Sequence, residues 1–313
     1  MQHNQTRMNI AIIGAGAAGM AAAWDFARAG HQVTIFEAGA EVGGLAAGFK
    51  DERWAWSLEK FYHHWFQTDA EVLKLIEEMG KSENVMFPRP KTSYWIDGKI
   101  YRSEISLSAL QLPISFIGKI RLGLSGIYLK LTRNWRALEK STADGWMRRY
   151  MGDEVYEKLW KPLLIGKFSD RYKDVNMAWM WARIKARSLR LGTYRGGFQK
   201  FLDDLAAAVQ NKGAVLHLNS AVERISRHGD NQLAVMVKGE KHIFDAVLST
   251  TSPALMLKIT FGLMDTPYGH QVANLESIGA LCVVFALKQS LLTDGTYWLS
   301  LPSNSPDKTR AQF

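Results

Sequence analysis

Three glycines, Gly14, Gly16 and Gly19, stand at the spacing G-x-G-x-x-G directly after the apolar run Ile10 to Ile13. That run has the length and β-branched character of a buried strand. The alanine-rich segment Ala17 to Ala29 that follows favours helix, and Gly30 suits its C-terminal cap. The chemistry open to such a pattern is the binding of a pyrophosphate. Gly14 makes the tight turn out of the strand, Gly16 lets phosphates approach the backbone, and Gly19 lets the helix lie close to the sheet. With Ala15, Ala17 and Ala18 around Gly16, the helix start presents unpaired N–H groups and a partial positive charge. A second apolar run, Val33 to Phe36, ends on Glu37, placed to accept the 2′- and 3′-hydroxyls of an adenosine ribose. A carboxylate there repels a 2′-phosphate, which argues against NADP. Strand, glycines, helix, strand and acid arrive in the order of a dinucleotide-binding fingerprint, which a simple glycine turn does not require.

Beyond Ala38, a glycine pair, Gly43-Gly44, lies six residues past the acid and precedes Leu45. Plain NAD dehydrogenases usually continue here into another helix. In these residues the chain resembles the FAD family that includes protoporphyrinogen oxidase, phytoene desaturase and the flavin amine oxidases. The resemblance implies an α/β fold, a Rossmann-like FAD-binding domain with an inserted α+β substrate domain. It also implies FAD as cofactor at Gly14, Ala15, Gly16, Ala17, Ala18, Gly19, Glu37, Ala38, Gly43, Gly44 and Leu45. Attachment is expected to be noncovalent, because the single cysteine, Cys282, lies far from the nucleotide motif. Leu45 is a departure, since many members carry arginine at that place. The loss of a phosphate-pairing cation moves the resemblance toward the desaturase and protoporphyrinogen oxidase branches. The segment Asn219 to Ile225 resembles the family's V-x-x-I element, whose valine backbone meets the adenine, and so nominates Val222. Read by itself, a valine in a strand is core.

Tyr62, His63 and His64 sit in an aromatic stretch, Phe49 to Phe66. They either pack and hydrogen-bond or, as the resemblance implies, line the flavin or substrate cavity. Adjacent histidines diverge on any regular element, so no metal site is expected. Gly196-Gly197 resembles the glycine pair that precedes the family's helix back to the FAD domain, and is placed at the same cavity.

These elements set a domain plan: 1–85 and 194–260 as the FAD-binding domain, 86–193 as the inserted, mostly helical substrate domain, 261–313 as substrate-domain strands and a polar tail. Asp97-Gly98 between Tyr94-Trp95-Ile96 and Ile100-Tyr101 marks a hairpin at the entry to the insert. Thr68 to Glu71 reads as a capping box, Lys161-Pro162 as a helix break, and Leu275 to Leu287 as a strand. Met177, Met180, Trp181 and Ile184 recur at helical spacing and are read as core. Family members generally continue to a closing Gly-Asp segment that contacts the FAD, and this segment is absent here. The resemblance therefore implies a C-terminally truncated member.

The net charge of +9 includes a concentration of Lys and Arg between Lys99 and Arg195. No nucleic-acid module accompanies it, so the charge suits an anionic substrate or an anionic membrane surface. Within 105–140, cations alternate with apolar residues, a pattern that either roofs a substrate cavity or lies in a membrane interface. Neither Met8 to Trp24 nor Ile105 to Gly118 has the roughly 20 apolar residues of a membrane span. The polar start lacks a signal-peptide pattern, and a lone cysteine suits a reducing compartment, so a cytoplasmic location, peripheral to the inner face of the membrane, is expected. The implied function is FAD-dependent dehydrogenation, desaturation or oxidation of a hydrophobic small molecule. A flavin-dependent sugar mutase, an amine oxidase and a noncatalytic FAD-binding fragment are the alternatives. The family's flavin-side lysine has no counterpart at Ile278 to Phe285, which lowers the amine-oxidase reading. No catalytic acid or base stands out by spacing.

Overall fold

The computed structural model describes residues 6–96, 98–102, 112–277, 279 and 281–301. They fall into two units: those within Met1–His64, Ala70–Met86 and Thr193–Val284, and those within Trp65–Asp69, Phe87–Gly192 and Phe285–Phe313.

The first unit is built on a parallel sheet. Strand β1 (Asn9–Ile13) leads through helix α1 (Ala17–Arg28) to strand β2 (Gln32–Phe36). The chain returns much later through helix α2 (Phe198–Asn211), strand β3 (Val215–His217) and strand β4 (Ala246–Ser249). The strand order is β3-β2-β1-β4, all parallel. Ile10, Ala11, Ile12 and Ile13 are buried, as an interior strand covered on both faces requires. Helix α1 buries Gly19, Met20, Ala23 and Trp24, and α2 buries a stripe from Phe198 through Leu202 and Leu205 to Val209. An antiparallel ribbon, Val222–His228, Gln232–Val237 and Glu240–Phe244, packs Ile225, Val235, Val237 and Phe244 against Ala11, Ile13 and Phe36. The C-terminal ends of all four parallel strands share one edge, the place where open α/β sheets take ligands.

The second unit is largely helical, around Leu129, Trp146, Met147, Met151, Tyr156, Leu164, Met177 and Met180. The methionine and tryptophan stripe is core, as its spacing predicts. Arg148 ties three turns together, donating to Asp144 (3.3 Å), Asp153 (2.6 Å) and Glu157 (2.5 Å) while its guanidinium lies 4.3 Å from the Tyr156 ring centre. The hydrogen bond to Asp153, then those to Glu157 and Asp144, raise its pKa further. The hairpin forms: Lys91–Ile96 pairs with Lys99–Arg102 so that Ile96 faces Lys99, with Gly98 at φ +76°. Asp97 lies outside the described residues.

Three local expectations are corrected. No break occurs at Lys161-Pro162. The helix runs on because Tyr156–Trp160 takes a π turn, in which the Lys161 N–H reaches back to the Tyr156 carbonyl just before the proline. The box at Thr68 is not formed. The helix starts at Ala70, the Thr68 hydroxyl donates to the Ala186 carbonyl (2.7 Å), and Asp69 accepts from the Phe66 N–H (2.8 Å). The described residues of 275–287 form no strand. Leu281 is 92% exposed, and without a ladder partner among the described residues β propensity has nothing to stabilise.

Candidate functional site

The site lies where β1 hands over to α1. The Gly14 N–H donates to the Phe36 carbonyl (2.8 Å), which pins the turn to the end of β2. At φ +102° Gly14 is in the left-handed region, and a Cβ there would fall 2.8 Å from Thr250 Oγ1. A Cβ on Gly19 would fall 2.0 Å from the Gly14 carbonyl oxygen. These two glycines are required by the fold itself. Gly16 is different. It takes an extended conformation as the N-cap of α1, and a Cβ would meet nothing nearer than Gly43 O and Gly44 Cα, both at 3.9 Å.

The helix start is left open. Gly16 offers no side-chain cap, the first turn carries no acid, and Ala17 and Ala18 are exposed. The dipole end of the helix is therefore uncapped by any side chain, as a site that receives an anion requires. Ala15 is buried. Its N–H donates to Glu37 Oε2 (2.8 Å), and the Gly39 N–H donates to Glu37 Oε1 (2.7 Å). A carboxylate has about four acceptor positions, so about two remain for ribose hydroxyls. The acid thus faces the glycine turn, one residue past β2. Ala38 is exposed beside it.

The second glycine pair comes back to the same place. Gly43 N–H donates to the Ala15 carbonyl (2.9 Å), and Gly16 and Gly43 form a parallel bridge. Gly43 and Gly44 have φ of +127° and +55°, and a Cβ on Gly44 would lie 3.2 Å from Gly16 Cα. Leu45 projects outward at 76% exposure. Open space over Gly16, an uncapped helix start and an acid with spare acceptor positions fit a dinucleotide.

The remaining sequence candidates lie elsewhere in this unit. Val222 is half-buried, starts the ribbon opposite Val237 and packs on the Ile225 core. His63 Nδ1 is 2.6 Å from the Phe61 carbonyl oxygen, with its ring 5.9 Å from that of Phe198. The rings of Tyr62 and His64 lie 5.0 Å apart. Gly196 and Gly197 both have positive φ, and a Cβ on Gly197 would fall 2.7 Å from Ser57 O, so close packing alone accounts for that glycine. Just before them, Tyr194 donates to Asp204 (2.8 Å) and accepts from Asn84 (3.2 Å), and burial pushes its phenol up to about 12.

Sequence reasoning missed the supports. Thr250 Oγ1 donates to the carbonyls of Ile13 (3.0 Å) and Gly14 (3.3 Å) and backs the glycine turn. Glu59 caps α2 by accepting from the Phe198 N–H (3.1 Å). Gln199 is bonded to the Val42–Gly48 loop. Each acts across more than a hundred residues of chain, so no local pattern announces it. Among the described residues no group of three metal-binding side chains occurs.

Fold and site together define an α/β protein with a Rossmann-like parallel sheet, helices on one face, an antiparallel ribbon on the other, and a glycine turn whose geometry suits a nucleotide. Residues 17–311 match the family of flavin containing amine oxidoreductases, and the chain belongs to that family. The chain is 26% identical to the probable zeta-carotene desaturase of Synechococcus elongatus over 70% of its own length and 51% of the relative's. It is 22% identical to the coproporphyrinogen III oxidase of Staphylococcus aureus, over 96% of this chain and 72% of that one. The crystal structure of an oxidoreductase from Methanosarcina mazei superposes with a TM-score of 0.69 at 19% identity, covering 86% of this chain and 66% of that one, a likeness of fold. The chain thus spans about half the length of the desaturase it matches.

Proposed function

We propose that this chain is the nucleotide-binding and substrate-binding part of an FAD-dependent oxidoreductase acting on a hydrophobic small molecule, with FAD held noncovalently. The observation that carries the reading is the open, uncapped start of α1 over Gly16, with Glu37 turned toward it. The N–H groups of Gly16, Ala17 and Ala18 would hold the pyrophosphate, Glu37 the ribose hydroxyls, and the Val222 backbone the adenine. Gly43-Gly44 would run along the phosphates, and Tyr62, His63, His64 and Gly196-Gly197 would face the flavin or substrate cavity. When bound, the flavin supplies the acceptor for the two electrons that leave the substrate. The protein's part is binding, orientation and exclusion of water. Similarity to a carotene desaturase supports a hydrophobic substrate.

The test is the absorbance spectrum of the purified chain after FAD addition and removal of free ligand. The expected result is a bound flavin spectrum, bleached anaerobically by a polyene, a porphyrinogen or an amine. Protein that stays colourless overturns the reading.

Among the described residues no helix is long and apolar enough to cross a membrane. The Phe116–Leu131 helix nevertheless turns Phe116, Ile120, Leu124, Ile127 and Leu131 to solvent on one stripe, while Gly118, Ser125 and Leu129 are buried on another. Lys119, Lys130 and Arg121 flank the exposed stripe, Lys130 and Arg121 with donors on the carbonyls of Lys185, Arg187, Tyr150 and Arg149, and no acid occurs from 105 to 138. Apolar face and flanking cations suit the interface of an anionic membrane, at the cytoplasmic side. Ile120→Glu with Leu124→Glu is expected to weaken partition onto anionic vesicles about tenfold or more. Sedimentation with vesicles checks this, and unchanged partition counts against it.

A further inference from the structure

Gln199 stands on the first turn of α2 and was not singled out by any motif. Its side chain holds both ends of the loop that carries the glycine pair. The Gly48 N–H donates to Gln199 Oε1 (2.9 Å), and Gln199 Nε2 donates to the Val42 carbonyl (3.1 Å) and to Asp203 Oδ1 (2.9 Å). These partners fix the amide's orientation. A flipped group would set N–H against N–H at Gly48 and oxygen against oxygen at Val42 and Asp203.

The loop needs such a support. Gly43 and Gly44 are consecutive residues with positive φ. The near half of the loop makes a single 3₁₀ turn, Gly44–Ala46, while its far end is held by the Lys60 N–H to Ala47 carbonyl bond (3.0 Å) and by the pairing of Gly48 with Glu59. Two glycines in series leave many backbone states open in the absence of an external tie. On its inner side the loop is tied to the phosphate turn by the Gly43 N–H to Ala15 carbonyl bond. On its outer side Leu202, one turn along α2, leaves only 3.1 Å between its Cδ1 and where a Cβ of Gly43 would stand. Helix α2 is itself anchored by Glu59 at Phe198.

We infer that Gln199 is a positioning residue for the cofactor: it latches the Val42–Gly48 loop in the shape that lets Gly43-Gly44 close over the pyrophosphate held at Gly16. The helix that brings the chain back to the sheet thereby sets nucleotide affinity without touching the nucleotide. This inference rests on the FAD reading above.

The test compares Gln199→Met, which keeps size and helix propensity but makes neither bond, with Gln199→Glu, which keeps only the acceptor for Gly48. Titration with FAD is expected to give a Kd raised about tenfold or more for Gln199→Met and at least as much for Gln199→Glu, whose second carboxylate oxygen is set against the Val42 carbonyl and Asp203 Oδ1. Hydrogen exchange on the ligand-free protein is expected to quicken about tenfold at the Gly43 and Gly48 amides, while α2 and the sheet stay protected. A merely structural role would instead lower protection throughout α2. Unchanged FAD affinity together with unchanged loop exchange overturns the latch, as does exchange that rises across all of α2. If the unaltered chain takes up no FAD, the FAD reading fails on its own, and the exchange at Gly43 and Gly48 still decides whether Gln199 holds the loop.

Discussion

Gly16→Val is expected to abolish retention of FAD while the ligand-free protein melts within a few degrees of the unaltered chain. Gly16 is extended, with φ −74° and ψ 179°, a conformation that valine adopts readily. A Cβ there would have its nearest neighbours, Gly43 O and Gly44 Cα, at 3.9 Å, so the first carbon of a side chain fits without displacing the fold. The branched side chain instead occupies the space in which phosphates would contact the start of α1. Charge-assisted hydrogen bonds contribute about 1.5–3 kcal/mol each, and losing two of them costs about a hundredfold or more in affinity. Flavin content after gel filtration, set beside a calorimetric melt of the ligand-free protein, measures both halves. Retention at the level of the unaltered chain would remove the phosphates from Gly16.

Gly19→Ala, three residues along the same motif, is expected to fail in the opposite order, losing the fold before the ligand. Its Cβ would stand 2.0 Å from the Gly14 carbonyl oxygen and 3.1 Å from Thr250 Oγ1. The nearer neighbour is backbone, pinned by the Gly14 N–H bond to Phe36, and it has no rotamer into which to retreat. Helix α1 would have to tilt away from β1, opening the packing of Met20 and Ala23, both fully buried. Overpacking of this kind costs about 3 kcal/mol, a fall in melting temperature of about 6–12 °C for a unit of this size. The ligand-free protein shows the loss without any cofactor present. A melt that does not change would mean that the helix lies further from the turn than the structure places it.

The contrast between these two glycines marks the limit of motif reading. G-x-G-x-x-G, the apolar strands and Glu37 are local features, and local stereochemistry decides them: Gly30 ends α1, and Glu37 follows β2 by one residue. The sequence therefore shows the turn, the helix and the acid. It also shows the hairpin at Gly98 and the core role of Met177 and Met180. Pro162 misled because a π turn just before it, a local change of hydrogen-bond register that spacing does not announce, accommodated the proline. The run Leu275 to Leu287 misled because strand character is completed only by a neighbouring strand.

What the amino-acid order alone determined is that a strand–glycine turn–helix unit with a following acid exists and which residues compose it, since φ restrictions, helix dipoles and apolar periodicity all act within a few residues. Only the tertiary structure decided which glycines the fold requires, Gly14 and Gly19, and which it leaves with open space, Gly16. It also decided that Thr250 backs the turn and that Gln199, more than 150 residues along the chain from Val42 and Gly48, ties the loop. Those contacts follow from where β4 and α2 come to rest against β1 and the glycine loop. That placement is set by the burial of whole faces and leaves no trace in residue spacing.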